Sequence, residues 1–217
     1  IFREVGKAMG DLPIVVVNDG EVTALAGSMS LGRNAVLGIA MGTSLASGYV
    51  NPDGNITTGL NELAFAPVDY NPDAAADEWS SDIGCGVQYF SQQAVGRLLQ
   101  PAGIELPEDL GLPEKLKEVQ SYINKEDSRA QKIYETLGVY LGYSIPHYAD
   151  FYAVENILLL GRVTSGTGGD ILLEKANEVL KSEFPELAEK LVFHIPDEKQ
   201  KRHGQAIAAA SLPSISP

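Results

Sequence analysis

An Asn-Asp pair at residues 18 and 19 has side chains suited to proton transfer, where an apolar run gives way to a helical pattern. The carboxylate of Asp19 could take a proton from a substrate hydroxyl as that hydroxyl attacks a phosphoryl group. Asn and Asp are also favoured helix N-caps, so Asn18 or Asp19 could simply cap the helix that follows. The pair alone leaves both interpretations open.

Two further stretches could contact a phosphorylated ligand. Gly42, Thr43 and Ser44 occupy a tight turn between two predicted strands, where backbone N–H groups and hydroxyls can contact phosphate oxygens. An ordinary hairpin turn is the alternative for these residues. The second stretch, 161–169, is rich in glycine, which lets the backbone approach a flat ligand closely. It has neither the Walker A pattern nor the dinucleotide G-x-G-x-x-G spacing.

The segments around these stretches alternate between strand and helix patterns. Strands are predicted at 14–17, 35–41, 45–50, 156–162 and 190–196. Helices are predicted at 1–9, 20–29, 87–99, 113–149, 165–184 and 203–211, with breaks near Asn124 and Pro146. The alternation predicts an α/β fold with a partly parallel sheet, in which ligands bind at the carboxyl ends of the strands.

The composition narrows the classes of partner. A formal net charge of -13 argues against a nucleic-acid-binding surface, which needs clustered Lys and Arg. No apolar run reaches the roughly 18 residues that span a membrane. The single cysteine, Cys85, is predicted to be an inert core thiol in a reducing, cytoplasmic setting. The segment 66–83 is acidic and is predicted to be an exposed loop, whose Trp79 we expect to cover the core.

The order of these motifs resembles that of the ROK family (repressors, open reading frames and sugar kinases) in the actin-like/hexokinase ATPase superfamily. Asn18-Asp19 is followed by Gly-Thr-Ser at 42–44, by "NELAFAPVDY" at 61–70, by helices, and by the glycine-rich stretch. The resemblance runs from residue 1 to about 211. It implies an actin-like, ribonuclease H-like α/β domain with a mixed central sheet flanked by helices. The chain is then one domain, 1–217, corresponding to the later portion of such proteins.

The resemblance also implies an activity, the phosphorylation of a hexose-type hydroxyl by ATP. Asp19 would be the general base, and Asn18 and Glu62 would bind sugar hydroxyls. The residues implied to bind nucleotide are Gly42, Thr43 and Ser44 at the phosphates, and Gly161, Thr164, Gly166, Gly168 and Gly169 at the adenosine. Mg²⁺ would arrive with the ATP, because its oxygen ligands include the substrate phosphates.

The chain departs from the family pattern in four places. Phe65 stands where the family has a zinc-ligating His, and the Cys-rich zinc loop is reduced to the surroundings of Cys85. We therefore expect no structural metal. A second sugar-binding Glu would fall at or near Val87. The Asp-x-Gly-Gly-Thr phosphate loop of the N-terminal lobe does not occur in this sequence, so that lobe of the same protein is an expected partner. A homodimer is a separate expectation.

The same resemblance allows a protein without kinase activity. A sugar-sensing domain of a ROK-type transcriptional repressor is the first alternative, and a nucleotide-binding regulatory domain on the same fold is the second. The first binds sugar without transferring phosphate, and the second binds ATP without sugar-dependent hydrolysis. If the kinase interpretation holds, we expect the isolated chain to turn over poorly or not at all.

Overall fold

A computed structural model describes residues 1–11, 14–57, 59, 61–196 and 198–212, the side chains of 198–204 excepted. Its helices are α1 (Phe2–Ala8), α2 (Asp19–Leu31), α3 (Gln92–Leu98), α4 (Leu112–Ile123), α5 (Ser128–Ala149), α6 (Gly166–Glu183), α7 (Pro185–Ala188) and α8 (Glu198–Ser211). Its strands are β1 (Val36–Met41), β2 (Leu45–Val50), β3 (Asn156–Leu160) and β4 (Val192–His194). None of the helices described is long and apolar enough to cross a membrane.

The four strands form one mixed sheet in the order β2-β1-β3-β4. β1 is antiparallel to β2 and parallel to β3, and β3 is parallel to β4. Because Ala40 pairs with Leu160, the parallel strands β1 and β3 end at the same edge of the sheet. The α/β fold with a mixed sheet flanked by helices is therefore confirmed, and the predicted turns after β1 and β3 are neighbours.

Both faces of the sheet are covered, because its side chains alternate between two apolar clusters. Ile157 and Leu159 of β3 belong to the larger cluster, which α3 to α6 complete, whereas Leu158 and Leu160 belong to the smaller one with α2. A strand buried on both faces has a continuous apolar sequence instead of an alternating one. This burial explains the run "ILLL" at 157–160.

Helix α2 crosses β2 at a contact that only glycine permits. A Cβ built on Gly48 would lie 2.2 Å from the carbonyl oxygen of Gly20, and one on Gly20 would lie 2.1 Å from the carbonyl oxygen of Ser47. The two backbones therefore pack directly against each other. This contact fixes the first turn of α2, including Asp19, over the middle of β2.

The predicted strand at 14–17 is wrong. This segment has no regular secondary structure and pairs with no strand of the described chain, and Ile14, Val15 and Val16 are 42%, 47% and 57% exposed. A β-branched run favours extended backbone, yet a strand also needs a hydrogen-bonded neighbour and a covered face. Neither is present among the described residues, so the segment forms no strand before α2.

Two local predictions also fail. The predicted break near Pro146 is absent, because α5 continues to Ala149 although the proline cannot donate a hydrogen bond to the carbonyl of Gly142. Trp79 does not cover the core, since its side chain is 85% exposed. The predicted break near Asn124 is confirmed, because α4 ends at Ile123.

Candidate functional site

The first turn of α2 separates the two interpretations of the Asn-Asp pair. Asn18 is the N-cap, and its Oδ1 accepts a hydrogen bond of 2.8 Å from the backbone N–H of Gly20. Asp19 is the first helical residue, and its exposed carboxylate makes no hydrogen bond or ion pair with any residue the structure describes. Capping therefore occupies Asn18 and leaves the Asp19 carboxylate free at the positive end of the helix dipole.

Asn18 also contacts the third residue predicted for this part of the site. Its Nδ2 donates a hydrogen bond of 2.9 Å to Oε1 of Glu62, 44 residues further along the chain. The two predicted sugar-binding side chains are thus brought together, next to Asp19 in sequence. A carboxylate, an amide and a second carboxylate at one surface can bind and orient a polyhydroxylated molecule.

A buried hydrogen-bond network holds Glu62 in place. Glu21, only 6% exposed, accepts hydrogen bonds from Asn61 Nδ2 at Oε1 and from the backbone N–H of Tyr49, at 3.1 Å, at Oε2. The Ser47 hydroxyl donates to the carbonyl of Asn61 and accepts from the N–H of Leu63 at 3.0 Å. The network ties 61–63 to both α2 and β2.

Sequence reasoning missed this network. Glu21 is the third helical residue after the cap, the position at which Glu usually reaches back to the N-cap backbone in a capping box. The sequence position of Glu21 therefore indicates a local capping role. Its carboxylate instead bonds to residues 28 and 40 positions away, which no local pattern identifies.

We expect Asn61→Leu to destabilise the fold by about 1–3 kcal/mol, because it leaves the buried Glu21 carboxylate without one of its donors. Chemical denaturation monitored by circular dichroism measures the change. The matched control is Asn55→Leu at an exposed side chain, where a change within about 0.5 kcal/mol is expected. Equal losses for the two variants would contradict the importance of the network.

The two predicted nucleotide-binding stretches are neighbours in the structure. The N–H of Val163 donates to the carbonyl oxygen of Met41 at 3.2 Å, across the ends of β3 and β1. Gly161 has φ +95°, and a Cβ there would lie 2.3 Å from the same Met41 oxygen. Thr164 is 2% exposed, and its hydroxyl donates to the carbonyl of Gly161 at 3.1 Å. The glycine-rich stretch is therefore closely packed against the turn that follows β1.

That turn is connected to helix α3 as well. The N–H of Gly42 donates to the carbonyl of Ser44, and the N–H of Gln92 donates to the carbonyl of Gly42, both at 2.9 Å. The Thr43 hydroxyl lies 3.4 Å from Oε1 of Gln92, and Thr43 and Ser44 are exposed. The turn thus presents two hydroxyls to solvent from a fixed backbone.

A small pocket lies at the start of α6. Its volume is about 220 Å³, and its lining consists of Gln120, Ile123, Asn124, Ser165, Gly166, Thr167 and Gly168. Gly168 and Gly169 are buried, and a Cβ would meet the Tyr134 ring at 2.5 Å or the Thr164 carbonyl oxygen at 2.0 Å, respectively. Complete ligand pockets measure about 300–1,000 Å³, so this one suits part of a ligand, such as a nucleobase.

The predicted residues thus form two groups. Asn18, Asp19 and Glu62 make the first, and the turns at 42–44 and 161–169 make the second. Strand β2 connects them, because the start of α2 lies over Ser47, three residues or about 10 Å along the strand from Ser44. No direct hydrogen bond joins the groups among the residues described.

The positions of the family's zinc ligands hold other side chains. Phe65 is exposed at the surface, and Cys85 is 1% exposed with the pKa of its thiol raised by burial. Among the described residues, no group of three or more His, Cys, Asp or Glu side chains is close enough to share a metal ion.

A mixed sheet with these turns at the ends of β1 and β3 is the ROK hexokinase fold, and the resemblance of the chain to the ROK family is confirmed. The chain is 28% identical to a glucokinase of Halalkalibacterium halodurans over 199 residues, which are 85% of this chain and 59% of the glucokinase. It thus spans little more than half of that relative. No protein-family model matches it.

Solved structures with this fold include both kinases and a regulator. A ROK family glucokinase from Streptomyces griseus, in complex with glucose and AMPPNP, aligns with a TM-score of 0.73 at 19% identity, over 98% of this chain and 71% of that one. A ROK family transcriptional regulator, a homologue of the E. coli MLC protein, aligns with a TM-score of 0.76 at 21% identity, over 97% of this chain and 55% of that one. The fold alone therefore serves proteins of both kinds.

Proposed function

We propose that the chain is the C-terminal domain of an ATP-dependent sugar kinase that transfers a phosphoryl group to a hexose-type hydroxyl. The observation that carries the proposal is the exposed Asp19 carboxylate, which bonds to no residue that the structure describes, beside the hydrogen-bonded Asn18–Glu62 pair. A general base must be free to accept a proton, and it must lie beside groups that position the attacking hydroxyl. The glucokinase relative supports the assignment of the substrate class.

In this mechanism Asn18 and Glu62 orient the sugar, and Asp19 takes the proton from the attacking hydroxyl. Their positions are fixed before substrate arrives, because the cap holds Asn18 and the Glu21–Asn61 network holds the segment that carries Glu62. Positioning and charge stabilisation supply most of the rate enhancement in phosphoryl transfer. A general base and sugar-binding groups that are already in position before the substrate binds suit that chemistry.

ATP would lie along the edge of the sheet where β1 and β3 end. Gly42, Thr43 and Ser44 would contact the phosphates through backbone N–H groups and hydroxyls. The pocket at the start of α6 would bind the adenosine. The residues that would line this pocket or lie directly behind its wall are Gly161, Thr164, Gly166, Gly168 and Gly169. The fit is supported by the open space at Gly166, where a Cβ would meet no atom within 4 Å. Mg²⁺ arriving with ATP would neutralise developing charge on the phosphates.

The assignment of the α6 pocket to nucleotide can be tested with two glycines of the same backbone conformation. Gly166 and Gly103 have φ +65° and +70°, and a Cβ at either position would meet no atom within 4 Å. We expect Gly166→Ala and Gly103→Ala to cost similar stability, about 1 kcal/mol each. Only Gly166→Ala should weaken binding of AMPPNP, measured by calorimetry, because Gly166 lines the pocket and Gly103 does not. Equal AMPPNP affinity in both variants would contradict the assignment.

A surface near the N-terminus of the chain could receive the N-terminal lobe of a longer protein. The apolar side chains of Phe2, Val5, Met9 and Val16 are 62%, 45%, 58% and 57% exposed. Exposed apolar side chains grouped at one end of a chain are a feature of surfaces that pack against another domain. We therefore propose that this lobe, which would carry the first phosphate loop, belongs to the complete kinase. A cytoplasmic location and a homodimer are further expectations.

A sugar-sensing domain without catalysis is the second candidate, and its support is the TM-score of 0.76 with the ROK regulator. The two functions differ in one measurement, sugar-dependent ATP consumption by the chain and by the chain extended to its natural N-terminus. Turnover with a hexose in the extended form supports the kinase. A sugar-induced rise in melting temperature without turnover in either form would favour the sensor.

A further inference from the structure

The largest aromatic side chain of the protein lies on its surface. Trp79, the only tryptophan of the chain, is 85% exposed, and its ring centroid lies 5.7 Å from that of Phe65 with an angle of 41° between the planes. Phe65 is itself 36% exposed. Aromatic rings contribute most when they are buried, so an exposed pair of this kind calls for a ligand that covers it.

The backbone that carries Trp79 is held in a defined turn. Asp77 is 7% exposed, and its Oδ2 accepts hydrogen bonds from the N–H groups of Trp79 at 3.1 Å and Ser80 at 2.8 Å. These bonds, that of Ser80 foremost, lower the pKa of the Asp77 carboxyl. A further backbone bond of 2.9 Å, from the N–H of Ser81 to the Asp77 carbonyl, closes the turn. The indole is thus presented outward by ordered structure.

The aromatic pair lies beside the proposed sugar site. The N–H of Phe65 donates to the carbonyl of Glu62 at 3.1 Å, so both residues belong to one tight turn. Such a turn holds its first and last Cα atoms within about 7 Å of each other. Glu62 bonds to Asn18 and Phe65 stacks against Trp79, so the aromatic pair begins one turn of backbone from the proposed sugar-binding residues.

We propose that Phe65 and Trp79 form a stacking platform for a second ring of the sugar acceptor, so that the substrate class is a disaccharide or a glycoside. The inference rests on the proposed function, because Asn18 and Glu62 must hold the first ring. A sugar ring has C–H faces that pack on aromatic rings and hydroxyl edges that suit carboxylates. The exposed carboxylates of Glu78 and Asp82 flank Trp79 in sequence and fit such edges.

Trp79 provides its own readout, since all tryptophan fluorescence of the chain comes from it. We would titrate the full chain with glucose, maltose and cellobiose, follow binding by calorimetry, and measure quenching of Trp79 by the neutral quencher acrylamide. Glucose is expected to bind without changing the quenching constant. At least one disaccharide is expected to bind about tenfold more tightly than glucose and to protect Trp79 from acrylamide.

Three variants distinguish this inference from the proposed function. Phe65→Ala and Trp79→Leu are expected to remove the roughly tenfold advantage of the disaccharide and to leave glucose affinity unchanged. Glu62→Gln is expected to weaken both sugars. Both platform residues are exposed, so their replacement leaves the core intact, and unchanged melting temperatures would verify this.

Three other results of these titrations would overturn the stacking platform. Glucose binding that depends on Glu62, with Trp79 equally quenched in every sugar, would overturn the platform and leave the proposed function standing. Absence of binding by any of the sugars would overturn both. Protection of Trp79 that rises with protein concentration in the absence of sugar would assign the ring to self-association and overturn the platform.

Discussion

Replacement of Asp19 by Asn is expected to lower kcat by about 10²–10⁴-fold, the range in which a general base contributes, with a much smaller change in sugar affinity. Asn retains the size of the side chain but cannot accept the proton of the attacking hydroxyl. The measurement is sugar-dependent ATP consumption in the longest form of the protein that shows it. Sugar affinity is followed in parallel by calorimetry, because Asn18 and Glu62 remain to bind the hydroxyls.

The structure offers good controls for this prediction. Asn18, and not Asp19, caps α2, so Asp19→Asn should cost only the roughly 0.3–1 kcal/mol by which an acidic side chain favours a helix N-terminus. Asp53→Asn, at an exposed turn after the opposite end of β2, should leave kcat unchanged. An Asp19→Asn protein with unaltered kcat would show that Asp19 is not the base, and the sensing function would then be preferred.

The second large effect is expected at the crossing of α2 over β2. We expect Gly48→Ala to destabilise the fold by about 3 kcal/mol or more, because its Cβ would lie 2.2 Å from the carbonyl oxygen of Gly20. Backbone atoms cannot rotate away as a flexible side chain can, so the helix itself must shift. Denaturant unfolding gives the free energy, and sugar affinity should also fall because the start of α2 carries Asn18 and Asp19.

Gly38 is the matched control, since it is the register partner of Gly48 in the neighbouring strand β1. A Cβ there would lie 3.2 Å from the Cβ of Ala24, a side-chain contact that a shift of a few tenths of an ångström relieves. We expect Gly38→Ala to cost about 1 kcal/mol. If the two variants were equally stable, the close contact between α2 and β2 would not be a feature of the folded protein.

The sequence predicts those parts of the fold that depend on local pattern. The apolar run at 157–160, the turn at 42–44 and the glycines at the start of α6 each have a local signal, and the structure has β3, the turn after β1 and α6 at these positions. The family resemblance assigned Asn18 and Glu62 to one sugar site, which spacing could not do across 44 residues; the hydrogen bond between them was not predicted.

The failures share a dependence on distant partners. Residues 14–17 have the composition of a strand, but pairing is decided by the presence of a neighbouring strand. Trp79 has the hydrophobicity of a core residue, yet the turn closed by Asp77 directs it outward. Glu21 has the position of a capping residue, yet it bonds to Asn61 and Tyr49. In each case the local sequence allows several outcomes and tertiary contacts select one.

The buried Glu21 network has a consequence for changing what the protein binds. Because Glu21, Ser47 and Asn61 fix the backbone on which Glu62 is carried, the loop that follows can vary without disturbing the start of α2. Phe65 lies outside that network, at the exposed end of the turn. A library that randomises residues 65 and 79 while retaining these three residues should therefore yield folded proteins with altered ligand preference. The residues that fix the backbone of the site are thus separate from the residues that can be exchanged to change its ligand.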